Sequence, residues 1–120
     1  GKVAAKEVET NLISQRFEVN LNDVPEIEGR RLALIGSHKA IGQWAAAHAV
    51  DLLPAFNIQD NKRVWSVSVK LPAGENIEYK YVLLSETGAA WESNALNRLL
   101  KVGTPSVQVD FVDNFNVEGI

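Results

Sequence analysis

Four stretches of this chain alternate apolar and polar residues with a period of two, and that alternation limits the fold more than any other feature. In "RFEVNLN", Phe17, Val19 and Leu21 share one face, with Glu18, Asn20 and Asn22 opposite. In "RVWSVSVKL", Trp65, Val67, Val69 and Leu71 oppose Ser66, Ser68 and Lys70. "IEYKYVLL" groups Ile77, Tyr79, Tyr81 and Leu83, and "SVQVDFV" groups Val107, Val109 and Phe111. Successive strand side chains point to opposite faces, so a half-buried strand needs this pattern and a helix does not. "RLALIG" adds a short apolar run that ends at Gly36.

Turn signals separate these runs. "LPAGEN" carries Pro72 and Gly74 between two alternating stretches and predicts an antiparallel hairpin. "SETGAAW" predicts a second tight connection, with Gly88 supplying an unusual backbone angle. "VGTPS" breaks the chain before the last predicted strand. Gln43 to Val50 is the one helix candidate, and it is too short for more than a helical turn or ordered loop. Many short strands with almost no helix predict an all-β fold, an immunoglobulin-like antiparallel β-sandwich of about seven or eight strands. Residues 15–112 are expected to form the sandwich. Residues 1–14 are expected to be a leader or linker, and 113–120 a linker or the start of a neighbouring segment.

Composition narrows the chemistry. The chain has 120 residues, which suits one domain with a real core. It has no cysteine, which excludes disulfides, thiolate metal sites and cysteine nucleophiles. With 12 basic and 15 acidic residues it lacks the basic excess that phosphate neutralisation favours, so a nucleic-acid partner is not expected. No apolar run reaches the length of a membrane span, and no membrane partner is expected. Nothing at the N-terminus reads as a signal peptide, and the compartment stays open.

The candidate chemistry lies in the tryptophans. Trp65 alternates in phase with valines and is read as core. Trp44 lies in the long loop after "IGQ", and Trp91 opens the polar run "WESNALN". Each either caps the edge of the core or offers a flat stacking surface. A sugar ring presents weakly positive C–H groups on one face and hydroxyls at its rim. It therefore suits indoles surrounded by Asn, Glu and Lys, which "WESNALN" and Lys80 supply. Stacked nucleic-acid bases would bring phosphates that want basic neighbours, and the charge nearest Trp91 is Glu92. "GSHKAIG" lacks the ending of a phosphate loop. His38 and His48 are read as solvated loop residues with no metal site. Glu75, Glu78 and Glu92 are read as surface carboxylates, since nothing sets two of them across a cleft. No catalytic residue and no cofactor are expected.

The order of the motifs resembles a known family, the starch-binding domain of carbohydrate-binding module family 20. "LALIGSHKAIGQWAAAHAVDL" is similar to its strand ending in Gly-Ser, its Leu-Gly-x-Trp turn and its Ala-rich stretch. "VWSVSVKLPAGENIEYKYV" is similar to its Trp strand, Leu-Pro-Ala-Gly turn and Glu-Tyr-Lys-aromatic strand, and "WESNALNRLLKV" to its Trp-Glu-Ser…Asn-Arg segment. The resemblance runs from about Phe17 to Phe111. It implies a non-catalytic module that holds α-1,4-glucan and anchors a covalently linked catalytic domain to it. It also implies Trp44 and Trp91 as the stacking platform, with Lys80, Glu92 and Asn97 bonding sugar hydroxyls. Here "NAL" separates Ser93 from Asn97, one residue more than the family has, so either Asn94 or Asn97 meets the sugar. The family's second glucan site uses a tyrosine where this chain has Glu28. Phe56 falls near another aromatic position of that site, which is therefore expected to be weak or absent. The alternative is a scaffold or protein-interaction sandwich that has lost sugar binding.

Overall fold

The alternating stretches become strands that pack as two sheets. The structure is a computed structural model and describes residues 11–21, 29–57, 62–92 and 96–116. One sheet contains β1 (Leu12–Asn20), β4 (Leu53–Asn57), β5 (Lys62–Pro72) and β9 (Asp113–Asn114), in the order β4-β5-β1-β9. The second contains β2 (Arg31–Gly36), β3 (Val50–Asp51), β6 (Asn76–Ser85) and β7 (Gly88–Trp91), in the order β3-β2-β6-β7. A further strand, β8 (Arg98–Lys101), also pairs with β6. Every pairing is antiparallel except β1 with β9. The all-β sandwich expected from the alternation is present, with nine strands among the described residues.

The core fills the space between the sheets. Phe17, Val19, Val69 and Leu71 enter from one side, and Leu32, Leu34, Ile77, Tyr79, Tyr81 and Leu83 from the other. Phe17 meets Tyr79 edge to face, with ring centroids 5.2 Å apart. Trp65 packs against this core as its phase demands. Its Nε1–H is buried and finds no hydrogen-bond partner among the described residues.

Four expectations need correction. "LPAGEN" reverses the chain but makes no hairpin, because β5 and β6 belong to different sheets. The turn is held by other segments: Gly74 N–H donates to Val102 O at 3.1 Å, and Ala73 N–H to Asn11 O at 2.9 Å. Gly74 takes φ 73°, as its glycine allows.

The "SVQVDFV" segment is not a strand. Val109 and Phe111 do pack on the core, but Val107 is exposed. The side chain of buried Gln15 takes the place of a neighbouring strand: its Nε2 donates to Val109 O at 2.9 Å, and its Oε1 accepts from Gly103 N–H at 3.3 Å. Alternating burial without a ladder thus imitates a strand in sequence.

Residues 12–14 are no leader, since they open β1 opposite Pro72, Leu71 and Lys70. Residues 113–116 are no linker either. Asp113 and Asn114 pair with β1, and Phe115 is buried in the core.

Candidate functional site

The second sheet has an outer face whose residues follow from its register. Asp51, Ala33, Val82 and Trp91 lie in one row across β3, β2, β6 and β7. Ile35 and Lys80 form the next row. Directly paired residues of neighbouring strands put their side chains on the same face. Trp91 and Lys80 therefore share a face, two residues apart along β6. Trp91 is 37% exposed, a large apolar ring left in contact with water.

Trp44 reaches the same face from the long connection after β2. That connection forms two 3-10 turns, Lys39–Trp44 and Ala46–His48, in place of the single helical turn or loop read from composition. Trp44, Ala46 and Ala49 pack down on Ala33, Ile35, Val82 and Leu84. This second small core explains why "RLALIG" is apolar without alternation: β2 is covered on both faces. Trp44 is only partly buried by the packing. One side of its ring thus serves the outer core while part of it stays at the surface.

The backbone at Trp44 is held in an uncommon conformation. Gly42, Gln43 and Trp44 have φ of 90°, 47° and 66°. Left-handed backbone costs about 1–2 kcal/mol for a residue with a Cβ, and for a ring as large as indole it is a clear outlier. The surrounding bonds hold it in place. His38 Nδ1 accepts the Ala40 N–H at 3.0 Å, and Gly42 O accepts the Ala45 N–H at 2.9 Å. Such strain concentrates where a side chain must be presented in one direction.

Glu92 is the residue whose position departs most from the sequence reading. Its side chain is fully buried. Arg98 donates to it from Nε at 3.0 Å and from Nη2 at 2.7 Å. The backbone N–H groups of Tyr81 and Asn116 donate to it at 2.9 and 3.0 Å. With four donors and no exposed surface, this carboxylate has no oxygen to offer a sugar hydroxyl. Consecutive strand positions face opposite ways, so the alternation that turns Trp91 outward turns Glu92 inward.

Arg98 extends the same network. It donates to Asn114 O at 2.7 Å, pairs with Asp113 at 3.3 Å and lies over the Tyr81 ring at 5.5 Å. Tyr79 and Tyr81 each donate a phenolic hydrogen to Asp113 Oδ2 at 2.7 Å. Burial, followed by the Asp113 charge, pushes both phenols well above their ordinary range. Sequence reasoning missed this cluster. Its one signal was the Arg of the Asn-Arg motif, and its Asp113 lay in a segment read as linker.

The remaining candidates divide. Asn97 is exposed, and its Nδ2 donates to Glu78 Oε1 at 3.3 Å on the outer face. Asn94 lies outside the described residues, as does Glu28. Phe56 lies in β4 opposite Arg63, far from this face in the strand order, and its side chain is outside the described part.

Comparison with known proteins agrees with this architecture. The family model described as "Starch binding domain" matches residues 15–112. The chain belongs to the starch-binding domain family. As such it is a non-catalytic carbohydrate-binding module for starch. A glucoamylase of Neurospora crassa is 31% identical over 86 residues, which are 72% of this chain and 14% of the relative. The solved glucoamylase of Hypocrea jecorina superposes with a TM-score of 0.71 at 27% identity, covering 88% of this chain and 17% of that one. The family 20 module of a maltotetraose-forming amylase from Pseudomonas saccharophila shares the fold, with a TM-score of 0.62 at 22% identity over 86% of this chain and all of that one. This starch-binding domain thus spans about one seventh of the Neurospora relative's length.

Proposed function

We propose that this domain holds α-1,4-glucan on the outer face of its second sheet, by stacking sugar rings on Trp44 and Trp91, and that it anchors a linked glucan-active enzyme there. The observation that carries this is the register of β2, β6 and β7 with the packing of Trp44 on the outer cluster of Ala33, Ile35, Val82 and Leu84. Together they bring two partly exposed indoles, distant in sequence, to one side of one sheet. Lys80 and Asn97 supply polar groups at the rim. Asn94 stays in the proposed set as a neighbour of Trp91 in sequence. Glu92 leaves the set of sugar contacts and becomes the brace beneath Trp91. A second site at Phe56 forms no part of the proposal.

The energetics favour weak binding to each short chain. If a stacked ring hides roughly 60 Å² of apolar surface, burial contributes about 1.5 kcal/mol per ring. Lost translational freedom and hydroxyl desolvation oppose it. A starch granule presents many chain ends, and tethering to it raises the local concentration of a linked enzyme.

Co-sedimentation with insoluble starch tests the proposal, with Trp44→Ala and Trp91→Ala made singly and together. The double variant is expected to stay in the supernatant, with urea midpoints showing that it remains folded. Wild-type sedimentation by a folded double variant would refute the assignment.

A further inference from the structure

We propose that the glucan site does not end at the tryptophans but continues along β6 into a groove beside β8, which takes further glucosyl units of the same chain. The proposal rests on the platform reading above. The groove has a volume of about 460 Å³ and is lined mainly by Asn76, Ile77, Glu78, Leu99, Leu100 and Lys101.

Three observations join this groove to the platform. The first is the strand face. Asn76, Glu78 and Lys80 alternate with buried Ile77, Tyr79 and Tyr81, so they point outward on the face that carries Trp91. At about 3.3 Å per residue, Asn76 lies about 13 Å from Lys80 along the strand. A glucan leaving the indoles in this direction therefore meets the groove at once. The second is the link between the two: Asn97, at the platform rim, donates to Glu78 at the groove mouth.

The third is the lining. Leu99 is 78% exposed, a large apolar side chain facing solvent. It pairs across the ladder with Glu78, and Lys101 pairs with Asn76. An apolar surface flanked by a carboxylate, an ammonium and an amide repeats the mixed chemistry of the platform. A sugar face of C–H groups rimmed by hydroxyls fits such a lining better than a wholly apolar partner does. Ser37 lies at the edge, where its Oγ accepts the Glu78 N–H at 3.1 Å and keeps its own hydrogen to donate.

Chain-length dependence of binding separates groove from platform. Calorimetry with maltotriose and maltoheptaose would compare the wild type with Leu99→Ala, Lys101→Ala, their double variant and Trp91→Ala. Longer chains bind more tightly in any case because they offer more registers, so the readout is the change in the maltoheptaose-to-maltotriose affinity ratio relative to wild type. The double variant is expected to lower that ratio about three- to tenfold, the equivalent of one or two weak contacts, and to leave maltotriose affinity unchanged. Trp91→Ala is expected to weaken both ligands.

An unchanged ratio with intact maltotriose binding would overturn the groove and leave the platform standing. A wild type that binds neither sugar would overturn both. If the ratio holds while Leu99→Ala changes self-association in sedimentation velocity without sugar, the surface is a protein contact and the proposal is wrong.

Discussion

Glu92 follows Trp91 in the chain and faces the opposite way. Its four donors fix the end of β7, and so they fix the base from which the exposed indole projects. The two parts of the "WES…NR" motif thus do different work: Trp91 faces solvent, while Glu92 and Arg98 pair with each other beneath the sheet face. Arg98→Ala would leave a buried carboxylate with only backbone donors, at a cost of about 3–5 kcal/mol. Urea denaturation would register it as a lower midpoint with unchanged slope. Glu92→Gln keeps the shape but turns an amide NH2, which cannot accept, toward two of these donors. It is expected to lower the midpoint too, by less than Arg98→Ala because Arg98 keeps Asp113 as its ion partner. Sequence reasoning found the outward indoles because each stands outside an alternating run. It misread Glu92 because a carboxylate beside a surface tryptophan looks solvated until the strand parity at that position is known.

The loop from Ser37 to Ala49 acts as a single element. It covers Ala33, Ile35, Val82 and Leu84 and, in doing so, sets Trp44 on the outer face. Its hinge is Gly42, where a Cβ would come within 2.7 Å of His48 O. Gly42→Ala is therefore expected to cost at least the strain of left-handed backbone, about 1–2 kcal/mol, and also to displace Trp44. Starch affinity should fall together with thermal stability, and calorimetry with scanning fluorimetry would read both. A Gly42→Ala variant with normal affinity would separate the loop from the site. The loop's importance was legible as length and as one stray tryptophan. Its docking was not legible, because "RLALIG" gives no sign of which residues face the core and which lie beneath the loop.

Across the whole molecule, the two sheets are tied at the C-terminal end by a cluster that spans the fold. Asp113 accepts from Tyr79 and Tyr81 of one sheet while its strand pairs with β1 of the other. Phe115 seals that end of the core, and Phe115→Ala is expected to cost about 3 kcal/mol or more.

The phenols make the clamp sensitive to alkali. Their folded pKa values lie above the ordinary value of about 10. Their stabilisation is fully present below about pH 10 and is lost as the pH rises above it, where the unfolded chain gives up protons that the fold retains. The slope is about 1.4 kcal/mol per pH unit for each tyrosine. Urea midpoints between about pH 9 and 11 should fall steeply for the wild type and less steeply for Tyr81→Phe. The two-sheet architecture itself was legible from alternation in β1, β5 and β6. The partners of each strand were not, since Pro72 and Gly74 signal a reversal without saying whether the chain returns to its own sheet or crosses to the other.

If one glucan chain lies across Trp44 and Trp91, the three indole N–H signals report it. A two-dimensional ¹⁵N–¹H spectrum, assigned by substituting each tryptophan in turn, would be followed during titration with maltoheptaose. The Trp44 and Trp91 signals should move together along one binding curve, while the buried Trp65 Nε1–H stays still. Movement of Trp65 with Trp44 and Trp91 unchanged would mean that the glucan binds away from the two outer indoles.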